Sequence, residues 1–63
     1  IVNINEADAD TLKTIPGISE RLAEKIVHYR DENGKFENKA DIINVSGIGE
    51  KTYAAIAPYI MAG

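Results

Sequence analysis

Sixty-three residues with a formal net charge of −3, no cysteine and one histidine leave room for one small domain with a purely hydrophobic core, and exclude a disulfide framework or a thiolate metal centre. No apolar run approaches the roughly 18 residues that span a bilayer, and no signal-like segment is present. The acidic balance argues against a conventional basic nucleic-acid binder, whose affinity comes mainly from phosphate neutralisation.

The opening Ile1-Val2-Asn3-Ile4 reads as a domain cut from a longer chain, so that any anchor or targeting segment lies outside it. Asn5 is the expected N-cap of a first helix running through Ala9 and Leu12 to about Thr14, with Pro16-Gly17 ending it. Glu6, Asp8 and Asp10 cluster at its start, where carboxylates gain roughly 0.3–1 kcal/mol from the helix dipole. Ser19 caps a second helix whose apolar positions Leu22, Ala23, Ile26, Val27 and Tyr29 recur at helical spacing. Asn33-Gly34 stops it, because glycine is free to take a left-handed C′ conformation.

Phe36 is expected to fold back as a core anchor. Asn38 and Asp41 form a capping pair for a short third helix through Ile42 and Ile43. A fourth helix begins near Gly49 and packs through Tyr53, Ile56 and Ile60, with Pro58 kinking it or starting a separate last turn. No strand-like alternation is long enough for a sheet, so the class is all-α, with four to five short helices.

Two glycine turns, Pro16-Gly17-Ile18-Ser19 and Ser46-Gly47-Ile48-Gly49, lie about thirty positions apart. With the second half laid on the first, Gly17, Ile18, Glu20, Ile26 and Tyr29 fall on Gly47, Ile48, Glu50, Ile56 and Tyr59. One supersecondary unit is used twice, neither copy able to bury its apolar face alone. Glycine at a tight turn needs no functional explanation, since it permits positive φ. The basic residue two positions after each turn, Arg21 and Lys51, does need one. A cation in the first turn of a helix opposes the dipole and is relieved by an anion bound to the turn amides.

The pattern Leu12-x-x-Ile15-Pro16-Gly17-Ile18-x-x-x-x-Ala23-x-x-Ile26, followed by Ile42-x-x-Val45-x-Gly47-Ile48-Gly49-x-Lys51, resembles tandem helix-hairpin-helix motifs. Val2-Asn3-Ile4-Asn5 and Tyr29-Arg30-x-x-Asn33-Gly34-x-Phe36 narrow the resemblance to the domain of ComEA-type competence DNA receptors. It implies an (HhH)2 domain with pseudo-two-fold symmetry over residues 1–63, with motif one at about 6–32, a connector at 33–38 and motif two at about 39–62.

The implied function is sequence-independent binding of double-stranded DNA outside the cytoplasmic membrane during uptake for transformation. Other DNA-uptake proteins are implied partners, no small-molecule substrate is, and membrane contact would come only through a segment absent from this chain. The implied phosphate contacts are Gly17, Ile18, Ser19 and Arg21 at the first hairpin, and Gly47, Ile48, Gly49, Lys51 and Thr52 at the second. No cofactor is implied beyond a monovalent cation, which hairpin carbonyls hold in some relatives. Ser19 replaces the usual second glycine, and Lys35 stands where proline is common.

Charge makes the two hairpins unequal. Residues 1–34 carry four Lys/Arg against seven Asp/Glu, and residues 35–63 carry three against three. Lys25, Arg30, Lys35 and Lys39 read as solvated neighbours, with a widened phosphate track as the functional alternative. His28 reads as an exposed surface residue, Tyr29 and Tyr59 as equivalent packing residues, and Tyr53 as core. The scattered carboxylates and the lack of a paired nucleophile argue against an enzyme. The alternatives to a competence-type receptor are a docking module of the same fold, as in extrinsic subunits of a photosynthetic complex, and the DNA grip of a larger repair enzyme.

Overall fold

A computed structural model describes all 63 residues. In chain order it contains β1 (Val2–Asn3), α1 (Ala9–Leu12), α2 (Glu20–Asn33), a 3₁₀ helix (Lys39–Asn44), α3 (Glu50–Ile56), a second 3₁₀ turn (Ala57–Tyr59) and β2 (Ile60–Met61). The chain is mainly helical, and none of its helices is long and apolar enough to cross a membrane.

Asp8, three residues beyond the expected cap, starts α1: its carboxylate accepts the Thr11 N–H at 2.8 Å. Asn5 is taken by a different task. Its Oδ1 accepts the Phe36 N–H at 2.7 Å while its Nδ2 donates to the Phe36 carbonyl at 2.9 Å, which ties the N-terminal segment to the connector. An amide held on both sides by a backbone 31 residues away is oriented to the connector and not to the local helix end. The helix is accordingly a single turn.

The other caps follow local chemistry. Ser19 Oγ accepts the Leu22 N–H at 3.2 Å and begins α2, and Gly34 ends it with φ +86°. Asp41 accepts the Asn38 N–H at 3.3 Å at the start of the 3₁₀ helix. The third helix is thus 3₁₀ in place of α. Pro58 lies in the separate 3₁₀ turn that follows α3.

Twelve residues form one buried cluster, among them Ile4, Leu12, Ile26, Phe36, Ile42, Ile56 and Ile60, and no polar or charged residue is buried with them. Ile60 reaches this core from β2, beyond the end of the helix expected to carry it. The all-α expectation needs one addition: β1 and β2 pair in parallel, Val2 opposite Ile60 and Asn3 opposite Met61, and the Ile4 N–H extends the ladder to the Met61 carbonyl at 2.9 Å. Strands of two residues are too short to show alternation.

Tyr29 and Tyr59 are not equivalent. Tyr29 stacks on Phe36 with ring centroids 5.4 Å apart, whereas Tyr59 is 44% exposed. Tyr53 packs at the edge of the core, partly buried.

The Asp8 cap has a pH signature. Its bonds with the Thr11 backbone and side chain hold its carboxyl below the ordinary value of 3.8. A depressed carboxyl contributes stability above the ordinary value, and this is lost as pH falls through the lowered one. Asp8→Asn keeps a cap oxygen but cannot titrate. Thermal melts followed by circular dichroism are expected to show wild type ahead of Asp8→Asn at neutral pH, with the gap closing below about pH 3.8. A gap constant across that window contradicts the assignment.

Candidate nucleic-acid interface

Each hairpin turn is pinned by buried aliphatic residues on both sides of an exposed glycine. Ile15 and Ile18 flank Pro16-Gly17, Val45 and Ile48 flank Ser46-Gly47, and all four are at most 5% exposed. The Ile18 N–H donates to the Ile15 carbonyl at 3.0 Å and the Ile48 N–H to the Val45 carbonyl at 3.0 Å. Gly17 and Gly47 take φ of +102° and +99°, the positive value that the third residue of a type II turn requires. Burying the aliphatic pair turns the intervening backbone outward.

Space restricts these two positions as well. A Cβ on Gly17 would lie 3.3 Å from Ile56 Cγ2 of α3, and one on Gly47 would lie 3.3 Å from Leu22 Cδ1 of α2. Each turn therefore rests on the helix that the other turn begins.

Ser19 and Gly49 hold matching places with unlike chemistry. Both are N-caps with extended backbone, φ −79° and ψ 169° at Ser19, φ −101° and ψ −170° at Gly49. Any residue adopts such values, and a Cβ on Gly49 would meet nothing within 4 Å. Nothing in the fold calls for glycine there. Ser19 spends its hydroxyl on the Leu22 N–H, whereas the equivalent Thr52 N–H of α3 receives no side-chain cap. The second hairpin thus offers a barer backbone with more free donors.

Arg21 and Lys51 occupy the second helical position of α2 and α3, and Lys51 is exposed beside the half-buried Thr52. The nine sequence-designated residues fall on two exposed turns and the helix starts that follow them, except that the side chains of Ile18 and Ile48 point into the core and leave only their backbone outside.

The seven Lys and Arg residues sort by what they already bind. Arg30 Nη1 donates to the carbonyls of Ile4 at 2.8 Å and Ala7 at 2.7 Å, and Lys39 Nζ donates to the Ala57 carbonyl at 3.0 Å. Lys13 lies 3.3 Å from Asp10 and 3.8 Å from Glu20. Those three already have partners within the chain, Arg30 and Lys39 among the possible track residues. Arg21, Lys25, Lys35 and Lys51 have no carboxylate within 4.0 Å.

Two open clefts border this surface. The larger, about 500 Å³, includes Glu24, His28 and Glu32 with Arg21 and Lys25, and its carboxylates disfavour an anion. His28 is 73% exposed and meets Glu32 at 3.2 Å. The smaller, about 210 Å³, is lined by Ser19, Arg21, Leu22, Lys25 and Gly47 and has no acid. Lys25 is the residue that the repeat comparison overlooks, because its counterpart thirty positions on is the uncharged Ala55. The usable signal was its i,i+3 spacing from Leu22, which places both on one helix face. No group of three or more His, Cys, Asp or Glu side chains converges as a metal site.

Among known families, the helix-hairpin-helix motif matches residues 1–61. ComE operon protein 1 of Bacillus subtilis (strain 168) is 48% identical over 56 residues, covering 89% of this chain and 27% of the relative. Transcriptional accessory protein Tex of Neisseria gonorrhoeae is 41% identical over 59 residues, 94% of this chain and 8% of the relative. Endonuclease/exonuclease/phosphatase family domain-containing protein 1 of Danio rerio is 42% identical over 55 residues, 87% of this chain and 10% of the relative. The chain therefore spans 27% or less of the length of each of these relatives.

The contrast between glycines is measurable by urea denaturation. Gly47→Ala is expected to lower the unfolding free energy by about 1–3 kcal/mol through backbone strain. Gly49→Ser adds a capping hydroxyl and is expected to leave stability unchanged or raise it by a few tenths of a kcal/mol. Loss of stability in Gly49→Ser comparable to that in Gly47→Ala would show that the fold needs both glycines.

Proposed function

The chain belongs to the helix-hairpin-helix motif family, and from that premise we propose that residues 1–63 are one (HhH)2 domain with pseudo-two-fold symmetry that binds double-stranded DNA irrespective of sequence. Phosphates meet the backbone amides of Gly17, Ile18 and Ser19 and of Gly47, Ile48 and Gly49, with Arg21 and Lys51 supplying charge and Thr52 a hydroxyl. Such contacts position a protein on a duplex without reading bases. The domain is a grip and carries out no reaction itself.

The observation that carries this reading is Gly49. The fold has no use for glycine there, since the backbone is extended and the space beside it open. Close approach of a phosphate to the backbone does have a use for it, and Lys51 stands two residues on without a carboxylate partner. Ser19 fills the matching place in the first hairpin, which makes that grip the weaker of the two.

Similarity to ComE operon protein 1 supports the more specific role of a competence DNA receptor acting outside the cytoplasmic membrane, alongside other DNA-uptake proteins. The small share of each relative that this chain matches fits a module that holds DNA for whatever else a longer protein does.

Fluorescence anisotropy with unrelated labelled duplexes tests the proposal. Affinity is expected at about 10⁻⁴–10⁻⁶ M near physiological salt, with a log–log salt slope near about −3.6 for about four neutralised phosphates. Lys51→Glu and Gly49→Val are each expected to weaken binding by about tenfold or more, a loss of about 1.4 kcal/mol. Affinity unaffected by either substitution, or absent at low salt, refutes the grip.

A further inference from the structure

We infer that Lys25 of α2 is a second ammonium of the second hairpin, so that a phosphate held at Gly47–Gly49 draws charge from both helices at once. This assignment rests on the DNA-binding reading above and adds to it a residue that neither the repeat nor the hairpin pattern identifies.

Three observations converge on Lys25. Its Nζ lies 3.7 Å from where a Gly47 Cβ would stand, although the two residues belong to different halves of the chain. It lines, with Ser19, Arg21, Leu22 and Gly47, the cleft that contains no carboxylate. It also has no acidic partner within 4.0 Å, unlike Lys13, and no backbone acceptor in the chain, unlike Arg30 and Lys39.

Packing puts the ammonium there. Leu22, one turn earlier on α2, lies against the face of Gly47 at 3.3 Å from the Cβ position. A residue three positions along the same helix projects over the same surface. Packing of the half-buried Leu22 against Gly47 thus aims Lys25 at the turn, with its apolar stem along the cleft wall and its charge at the rim. The cleft reaches from Ser19 and Arg21 to Gly47, so the two hairpins share one electropositive strip through this side chain. At the register-equivalent position the other half has Ala55, and the first hairpin receives no comparable charge.

Lys25→Gln keeps most of the stem and removes the charge. Measured with the same labelled duplex, it is expected to lower the magnitude of the salt slope by about 0.9, the value of one phosphate contact. Its gap to wild type then shrinks about 3.5-fold between about 50 and about 200 mM salt. The effect is also expected to be largely absent in a Gly49→Val background, because partners at one site are non-additive, and full in a Ser19→Ala background. An unchanged urea midpoint in Lys25→Gln separates charge from packing.

A wild-type salt slope retained in Lys25→Gln while wild type binds DNA overturns the Lys25 assignment alone. Full additivity with Gly49→Val also overturns it, since the lysine would then serve another phosphate. Failure of wild type to bind at low salt overturns the DNA reading and this inference with it.

Discussion

The arrangement depends on a crossed contact: the first glycine turn lies against Ile56 of α3, and the second against Leu22 of α2. Each half rests its turn on the helix of the other, which couples the packing of the two hairpins. A chain of this length buries only about 60% of its unfolded surface, and independent halves would bury less. The crossing joins twelve buried residues in one cluster while leaving both turns on the surface. Stability and exposure of the same backbone are thereby obtained from one packing decision.

The net charge of −3 is a poor guide to this surface. Half of the ten carboxylates sit at helix starts, Asp8 and Asp10 at α1, Glu20 at α2, Asp41 at the 3₁₀ helix and Glu50 at α3, where they favour the fold locally. Two cations bind carbonyls of the chain itself, Arg30 two of them and Lys39 a third. What remains for an external anion is a short strip whose cations have no carboxylate within 4.0 Å. Local field, and not the sum over the chain, decides whether a phosphate is attracted at distances below the Debye length of about 8–10 Å.

Legibility in the sequence followed the range of the interaction. The Ser19 cap, the Asn33-Gly34 stop, the Asn38 and Asp41 pair and the break at Pro58 are settled within three or four residues, and each was readable from composition and order. The positions of both hairpins were readable for the same reason. Asn5 was misassigned as a helix cap because its partner, Phe36, is 31 residues away. The β1–β2 ladder joins the two ends of the chain and left no periodic trace. Lys25 reads as a solvated neighbour, with a phosphate track only as the alternative, because comparing the halves shows what they share and its approach to the second turn exists only where they differ.

That terminal ladder has a mechanical consequence. Val2 pairs with Ile60 and Asn3 with Met61 in parallel, so segments joined before β1 and after β2 would leave from opposite ends of the ladder. Tension between them pulls the two strands past one another and loads their hydrogen bonds side by side. Peeling would strain those bonds one at a time. The ladder that joins the two ends of the fold is thus oriented for shear and not for peeling.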